Sequence, residues 1–355
     1  MSKTVEEIAK ATGFSITTVR FVINGQSDKY RISAKTRQSV EDYIAIHGYS
    51  LNHTARSLKL NRSETIGFVV PDLANAYFAR LMAALEARCN ERNLLLLTLA
   101  SHENPELENR AITSLLERGV DGLAIAPCQP TVLPQLRSNK MRASIVLFDR
   151  GYPVSPFHTV VSDNYQGGLD MARRMLRESG GNCYFLCGHA ESPSLQDRIR
   201  GFVAACEECG VVDPHALIWQ DATDSPATGR HLMRLLIDDL RRPPAAFMCS
   251  SLLVLEGALL QLREQMGAID PGLLIGTFDD HAMLDLLPNR IVSIRQNEAA
   301  IAERLFQRLI EPRDLDRLQG ETDVVPCDSD DTHSALIPVA LRTLGGRLTP
   351  IGQVR

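Results

Sequence analysis

The chain has 355 residues, 44% of them hydrophobic and 23% charged, with a formal net charge of −5. That length suits two or three domains with sizeable cores. No basic segment followed by an apolar run opens the chain, and no apolar stretch approaches membrane-spanning length. A cytoplasmic protein with no membrane partner is therefore expected.

The charge is unevenly placed. Residues 1–62 carry ten Lys/Arg against five Asp/Glu, so the remainder is strongly acidic. A basic head on an acidic body suggests a nucleic-acid module joined to something else, although chance clustering gives the same count. In the head, Val5–Ala11 reads as a short helix with Val5, Ile8 and Ala9 on one face. Gly13 breaks it, since glycine takes a left-handed turn without a Cβ clash. Ser15 then caps a second helix in which Val19, Val22 and Ile23 are buried, while Ile16, Thr17 and Arg20 face outward. The pair reads as a helix-turn-helix, whose second helix enters the DNA major groove, or as an ordinary helical hairpin. After a loop, Gly25–Arg31, Ser33 caps a third helix, Ala34–His47, with Val40, Tyr43 and Ile44 as its buried side. Asn52–Lys59 can form two marginal helical turns. It is either a plain linker or a hinge helix that forms on DNA and offers Leu58 as a minor-groove wedge.

From Ile66 strands and helices alternate. Strands are expected at 66–71, 94–99, 120–125, 144–148, 183–187, 217–219, 246–249 and 273–278. Helices are expected at 77–92, 105–117, 167–179, 197–209, 227–240, 252–265 and 299–310. Continuous apolar strands between helices indicate parallel sheets covered on both faces. There are too many units for one sheet, so two doubly wound lobes with a cleft between them are expected. Ligands of such sheets bind at the carboxyl ends of the strands. The candidates there are Asn75–Phe78, Asp149-Arg150, Asp163-Asn164, Ser192–Arg198, Ser250-Ser251 and Asp279-Asp280. Together they suit a polyhydroxylated ligand; singly, each acidic residue also fits a helix cap or a surface loop. His281, beside Asp279-Asp280, fits a solvated side chain as well as acid–base machinery. Phosphate-loop, dinucleotide, HExxH and GxSxG motifs are missing, which speaks against an enzyme. Among the eight cysteines, Cys183 and Cys187 and the pair Cys206 and Cys209 lack zinc-site spacing, so reduced, buried thiols and no metal are expected. Residues 311–335 read as an acidic loop or crossover, 335–341 as a late strand, and the tail has no leucine heptads.

The order of parts resembles the lactose/galactose-repressor family of bacterial transcription regulators over nearly the whole chain. At the head, Ile8-Ala9, Gly13-Phe14-Ser15, Thr18-Val19 and Val22-Ile23-Asn24-Gly25 follow the family's helix-turn-helix pattern. Arg31–Arg37, Gly48–Asn52 and Ala55–Leu58 continue it. In the body, Ile66–Asp72, Val120–Leu123, Asp149-Arg150, Arg198–Phe202 and Phe278–Asp280 fall at its landmarks. The lengthened loop ending Asp28-Lys29-Tyr30-Arg31 and the runs Leu147–Arg150, Leu253–Gly257 and Thr277–His281 resemble the sucrose and fructose repressors.

The resemblance implies an all-α helix-turn-helix head (1–50) and a hinge helix with linker (51–65). It implies an α/β effector and dimerisation domain (66–340) with two doubly wound lobes of periplasmic-binding-protein type, and a tail (341–355). The lobes would be 66–162 plus 293–325, and 163–292 plus 326–340. The implied function is repression of a sugar-utilisation operon by a homodimer on pseudo-palindromic double-stranded operator DNA, controlled by a sucrose- or fructose-type sugar or sugar phosphate. Dual activation and repression, or a non-regulatory sugar-binding protein, are the alternatives. No cofactor is implied. By the family's pattern Thr4, Ser15 and Thr18 would hold phosphates, and Ile16, Thr17 and Arg20 would face bases. Asn24, Arg31, Ser33 and Thr36 would add backbone contacts, and Ala55 and Leu58 would enter the minor groove. Tyr77, Phe78, Asp149, Arg150, Asp163, Ser194, Arg198, Ser251 and Asp279 would surround the effector. Departures occur at Ser251-Leu252, where many relatives carry Asn/Asp. Thr223–Ser225 replace an aromatic, and Leu51 stands where a proline is common. Arg20-Phe21 stands where many relatives have Ser-Arg.

Overall fold

A computed structural model describes residues 3–49, 62–130, 136, 143–152, 157–310 and 322–327. The hinge expected around Ala55 and Leu58, the late strand at 335–341 and the tail lie outside the described residues. The chain divides into two compact units, Met1–Glu64 and Thr65–Arg355.

The first unit is helical: α1 (Val5–Thr12), α2 (Ile16–Ile23) and α3 (Ala34–His47). Each starts on a hydroxyl cap, from Thr4, Ser15 and Ser33 respectively, which satisfies an N–H that the helix cannot bond internally. Thr4 and Glu7 form a reciprocal capping box. Gly13 ends α1 at φ +76°, the left-handed turn expected of it. Ile8, Ala9, Val19, Val22 and Val40 form a thin core, with Phe14, Ile32, Tyr43 and Ile44 packed around it.

The second unit contains two parallel sheets. The first has the order β11-β5-β4-β3-β1-β2, with β1 (Thr65–Val70), β2 (Leu95–Ala100), β3 (Gly122–Ile125), β4 (Ser144–Phe148), β5 (His158–Ser162) and β11 (Thr322–Val325). The second has the order β10-β9-β8-β6-β7, with β6 (Tyr184–Cys187), β7 (Ile218–Gln220), β8 (Ala246–Cys249), β9 (Leu274–Phe278) and β10 (Arg290–Ile294). The helices are α4 (Ala76–Glu91), α5 (Pro105–Glu117), α6 (Asn164–Ser179), α7 (Pro193–Glu208), α8 (Pro226–Leu240), α9 (Leu252–Met266) and α10 (Glu298–Ile310). Each sheet is sandwiched between two apolar clusters: those centred on Phe68 with Phe148 and on Leu123 with Leu147 in the first lobe, and those on Phe185 with Phe202 and on Phe247 with Ile275 in the second. Burial on both faces explains why the inner strands read as unbroken apolar runs. Among the described residues, no helix is long and apolar enough to cross a membrane.

The structure differs from the sequence reading in five places. The strands β5, β10 and β11 were not expected, and β11 lies inside the stretch read as an acidic loop. Leu217 ends a 3-10 turn, Pro214–Leu217, rather than opening β7. Ser293 and Ile294 pair with Thr277 and Phe278 in the second sheet, so the chain returns to the first lobe after Ile294, not at 293. It crosses between lobes near 162–164, 295–297 and 325–327, and Asp163 N donates to Val325 O across two of these crossings at 2.7 Å.

Two helix pairs in the second lobe touch through glycines. A Cβ on Gly168 of α6 would lie 2.5 Å from Arg198 O, and one on Gly201 of α7 would lie 2.3 Å from Tyr165 O. Gly229 and Gly257 perform the same service for α8 and α9, against Val254 O and Pro226 O at 2.0 and 1.9 Å. Only the missing side chains allow such backbone approach.

Candidate functional site

In the head, α2 presents Ile16, Thr17 and Arg20 outward; Ile16 is 41% exposed although apolar. Ser15 Oγ caps Thr18 N at 3.1 Å and also bonds Thr18 Oγ1 at 2.8 Å. Ser33 and Thr36 repeat the pattern at 3.1 and 2.9 Å. Thr4, Ser15, Thr18, Ser33 and Thr36 therefore sit in the first turns of helices, where N–H dipoles favour an anion. Asn24 is the exposed C-cap of α2, and Arg31 is exposed at φ +52°. Arg20 Nη2 lies 3.5 Å from Glu6, both exposed, a contact weak enough to exchange for another partner. Phe21 is not an outward residue. Its ring stacks on Tyr30 of the lengthened loop, 3.6 Å between centroids and 7° between planes.

Between the lobes is a cleft of about 280 Å³. Tyr77, Phe78, Asp149, Arg150, Ser194, Arg198, Ser251 and Asp279 all line it. Asp163 does not. Its carboxylate accepts Gln166 N at 3.0 Å and caps α6, the ordinary role of an Asp before a helix. Its neighbour Asn164 is the one that reaches inward, accepting from Arg198 Nε at 2.8 Å. Asn75, His102, Glu103, His189, Asp224, Ser250 and Gln296 are further lining residues. Of these, His102, Glu103, His189 and Gln296 had no place in the sequence reading. Each follows a strand, β2, β6 or β10, at the carboxyl end where ligands of such sheets bind.

A matched pair of aspartates faces the cleft from opposite lobes. Phe148-Asp149 ends β4 and Phe278-Asp279 ends β9, and both aspartates have positive φ, 64° and 68°. Each N–H bonds the neighbouring strand, to Val160 O at 3.0 Å and Ile294 O at 2.8 Å. Non-glycine residues rarely adopt this conformation, and it marks positions whose surroundings hold them there. Gln296 donates to Asp279 at 2.8 Å and accepts from Ser162 Oγ at 2.6 Å. This places a buried polar chain at the crossing. Ser194 Oγ of the second lobe donates to Asp149 O of the first at 2.9 Å.

Two guanidiniums lie among the carboxylates. Arg198, 4% exposed, is held by Asn164 and by Ser250 O at 2.6 Å, and its plane covers the Phe278 ring at 3.9 Å. Both Nη atoms of Arg150 bond Glu103, Nη1 at 2.7 Å, and Nε lies 3.8 Å from Asp149. Burial raises the Asp149 and Asp279 carboxyls above the usual range against the pull of the arginines, and pushes Asp224 up to about 6 despite the hydrogen bond from Ser251. Burial also acts upward on Glu103, but the hydrogen bonds and charge of Arg150 outweigh it and hold that group low. Burial and then the Arg150 charge depress His189. Tyr77 Oη, 3% exposed as a residue, is buried with no hydrogen-bond partner among the described residues. A more apolar groove of about 540 Å³, lined by Leu252, Leu255, Leu259, Leu260, Met283 and Leu287, lies along α9 and shares Asn75, Leu253 and Asp279 with the cleft. The cysteines are free thiols, of which Cys89, Cys183, Cys187, Cys206 and Cys249 are buried and Cys209 is exposed.

Comparison with known proteins adds the following. Residues 66–306 match the family model described as periplasmic binding protein domain. The sucrose operon repressor of Klebsiella pneumoniae is 30% identical over 307 residues, 86% of this chain and 91% of that protein. The fructose operon regulatory protein of Vibrio cholerae is 28% identical over 84% of this chain and 91% of its own length. A crystal structure of the Cra transcriptional dual regulator from Pseudomonas putida in complex with fructose 1-phosphate superposes with a TM-score of 0.66 at 25% identity, covering 75% of this chain and 97% of that one. The lac repressor dimer bound to operator gives 0.73 at 19% identity over 92% and 97%; at that identity it shows the shared fold.

Proposed function

The chain belongs to the lactose/galactose-repressor family, and from that premise we propose that it is a sequence-specific DNA-binding repressor of a sugar-utilisation operon. A small sugar or sugar phosphate, bound between the lobes, controls it. The observation that carries this reading is the presence in one chain of two sites: a three-helix head with Ile16, Thr17 and Arg20 on its outer face, and a cleft whose polar lining comes from both lobes. The named functions of the sucrose and fructose operon regulators support it.

In this reading Thr4, Ser15, Thr18, Asn24, Arg31, Ser33 and Thr36 hold phosphates, and Ile16, Thr17 and Arg20 read bases. Ala55 and Leu58 of the hinge enter the minor groove. The protein acts in the cytoplasm as a homodimer, so that two heads meet a pseudo-palindromic operator. The ligand shifts the balance between open and closed lobes by its differential affinity for them, and DNA affinity changes with that balance. The ligand is bound and released unchanged, with no chemical step. Dual activation and repression is a second reading, favoured by the 29% identity to the catabolite repressor/activator of Salmonella typhimurium.

The test is operator binding at fixed salt with and without sucrose, fructose, fructose 1-phosphate and fructose 6-phosphate. At least one should change the affinity, and Arg198→Ala should bind operator but lose that response. An Arg198→Ala protein released from DNA at the wild-type ligand concentration would remove Arg198 from the effector site.

A further inference from the structure

We infer that the cleft selects an uncharged polyhydroxylated sugar over its phosphate esters, because Glu103 already occupies the Arg150 guanidinium. This deepens the effector-site reading above and rests on it.

A phosphate is held by guanidinium or ammonium groups free to fork onto its oxygens, or by the uncapped N–H groups of a helix start. The cleft offers few of either. No lysine lines it. Arg150 directs both Nη atoms to Glu103, its Nη1 also reaches Pro127 O at 3.3 Å, and its Nε faces Asp149. Arg198 is fixed by Asn164 and Ser250 O, with one face on Phe278. Two of the helix starts at the cleft are partly committed, Asn75 capping Tyr77 N at 3.0 Å and Ser251 capping Val254 N at 3.2 Å; α7 has no side-chain cap, although Pro193 removes one of its N–H groups. Set against the two guanidiniums are five lining carboxylates, from Asp72, Glu103, Asp149, Asp224 and Asp279. A dianion brought here meets more negative than positive charge in a partly dry space, where screening is weak.

Hydroxyl groups meet the opposite reception. Asp149 and Asp279 are acceptors presented from opposite lobes at matching positions, suited to hydroxyls on two sides of one ring. Tyr77 Oη, buried within this lining and unpartnered among the described residues, supplies a donor or acceptor that a ligand hydroxyl satisfies. An unmet buried hydroxyl is costly, so a sugar that pairs with it gains from a group the folded protein leaves unmet. Glu103 is then the charge-selecting residue. It is 42% exposed at the side chain, stands at the mouth, and was invisible in the sequence because it belongs to a loop with left-handed residues, His102 and Glu103 at φ 52° and 55°.

Calorimetric titration of the full-length protein at pH 7.5 and one ionic strength, with fructose, sucrose and fructose 1-phosphate, and with fructose 6-phosphate as a fourth compound, tests this. The wild type should bind fructose or sucrose at least tenfold more tightly than fructose 1-phosphate. Glu103→Gln, near-isosteric and unable to neutralise Arg150, should raise the ratio of phosphate-ester to sugar affinity at least tenfold. Tighter binding of fructose 1-phosphate than of either sugar by the wild type overturns the inference and leaves the effector reading standing, as does an unchanged ratio in Glu103→Gln. If none of the first three compounds binds while fructose 6-phosphate does, the inference falls and the effector reading stands; if none of the four binds, both fall.

Discussion

Gly168→Ala probes how the second lobe positions its guanidinium. The added methyl would sit 2.5 Å from Arg198 O and 2.9 Å from Arg198 Cα. An unstrained carbon–oxygen contact is roughly 3.3 Å or more, so α6 and α7 must part by something under about 1 Å. The contacting atoms are backbone and cannot rotate away. Forcing a methyl into a packed interior costs about 1–3 kcal/mol. Alanine's better helix propensity returns about 1 kcal/mol, leaving a net loss of about 0–2 kcal/mol. The effect on the cleft should be larger than this figure suggests. Asn164 and Arg198, whose hydrogen bond spans 2.8 Å, lie one turn before Gly168 and on the same turn as the clash, so separating the helices pulls this bond apart. A charged-group hydrogen bond contributes about 1.5–3 kcal/mol, so sugar affinity should fall tenfold or more. Urea denaturation followed by circular dichroism measures the first effect, and calorimetric titration with the best-binding sugar measures the second. A variant more stable than wild type by about 1 kcal/mol, as alanine in an unhindered helix would be, would show that the helices do not meet at this glycine pair.

Three further variants test other parts of the structure. Asp224, pushed up to about 6 from an ordinary 3.8, is destabilising when ionised; the cost is absent below about pH 4 and complete above about pH 6, on the order of 3 kcal/mol. Asp224→Asn should therefore exceed wild type in urea midpoint by a margin that grows from pH 4 to 6, whereas a margin independent of pH would remove Asp224 as its source. In the head, exchanging Arg20-Phe21 for Ser-Arg should alter base preference more than affinity for random DNA, measured by operator selection at fixed salt. Equal losses on every sequence would mean that the two residues only position the helix. The single change Phe21→Arg, which removes the stack on Tyr30, separates the loop's contribution from that of Arg20.

The alternation of strands and helices was legible because most central strands are buried on both faces and therefore uniformly apolar, as in Phe68-Val69-Val70 and Phe247-Met248. The three strands that escaped are edge or near-edge strands with mixed composition: His158–Ser162, Arg290–Ile294 and Thr322–Val325. Their strand character comes from a neighbour's hydrogen bonds, which no local pattern encodes. In the cleft, Asp149, Arg198 and Asp279 could be found because they follow unmistakable strands or match family landmarks. Gln296 follows β10, a strand not expected, and no family landmark marks it. Glu103 and His189 follow strands that were expected, yet histidine and glutamate in a polar loop look like solvated surface until the fold brings Arg150 to them. Asp163 shows the converse error: right type and right strand end, but its carboxylate is spent on its own helix.

The three crossings between lobes impose an order on assembly. A nascent chain ending at residue 295 already contains all five strands of the second sheet, β6 to β10, with the helices that cover them. The first sheet at that point lacks its edge strand β11 and the helix α10, whose Ile301, Leu305 and Phe306 fill the cluster around Phe148. The lobe begun first is thus still unfinished when the second sheet is whole. Its exposed Phe68, Phe148 and Val160 surface must wait on the ribosome while a later segment folds, a period in which an unfinished apolar face is open to wrong partners.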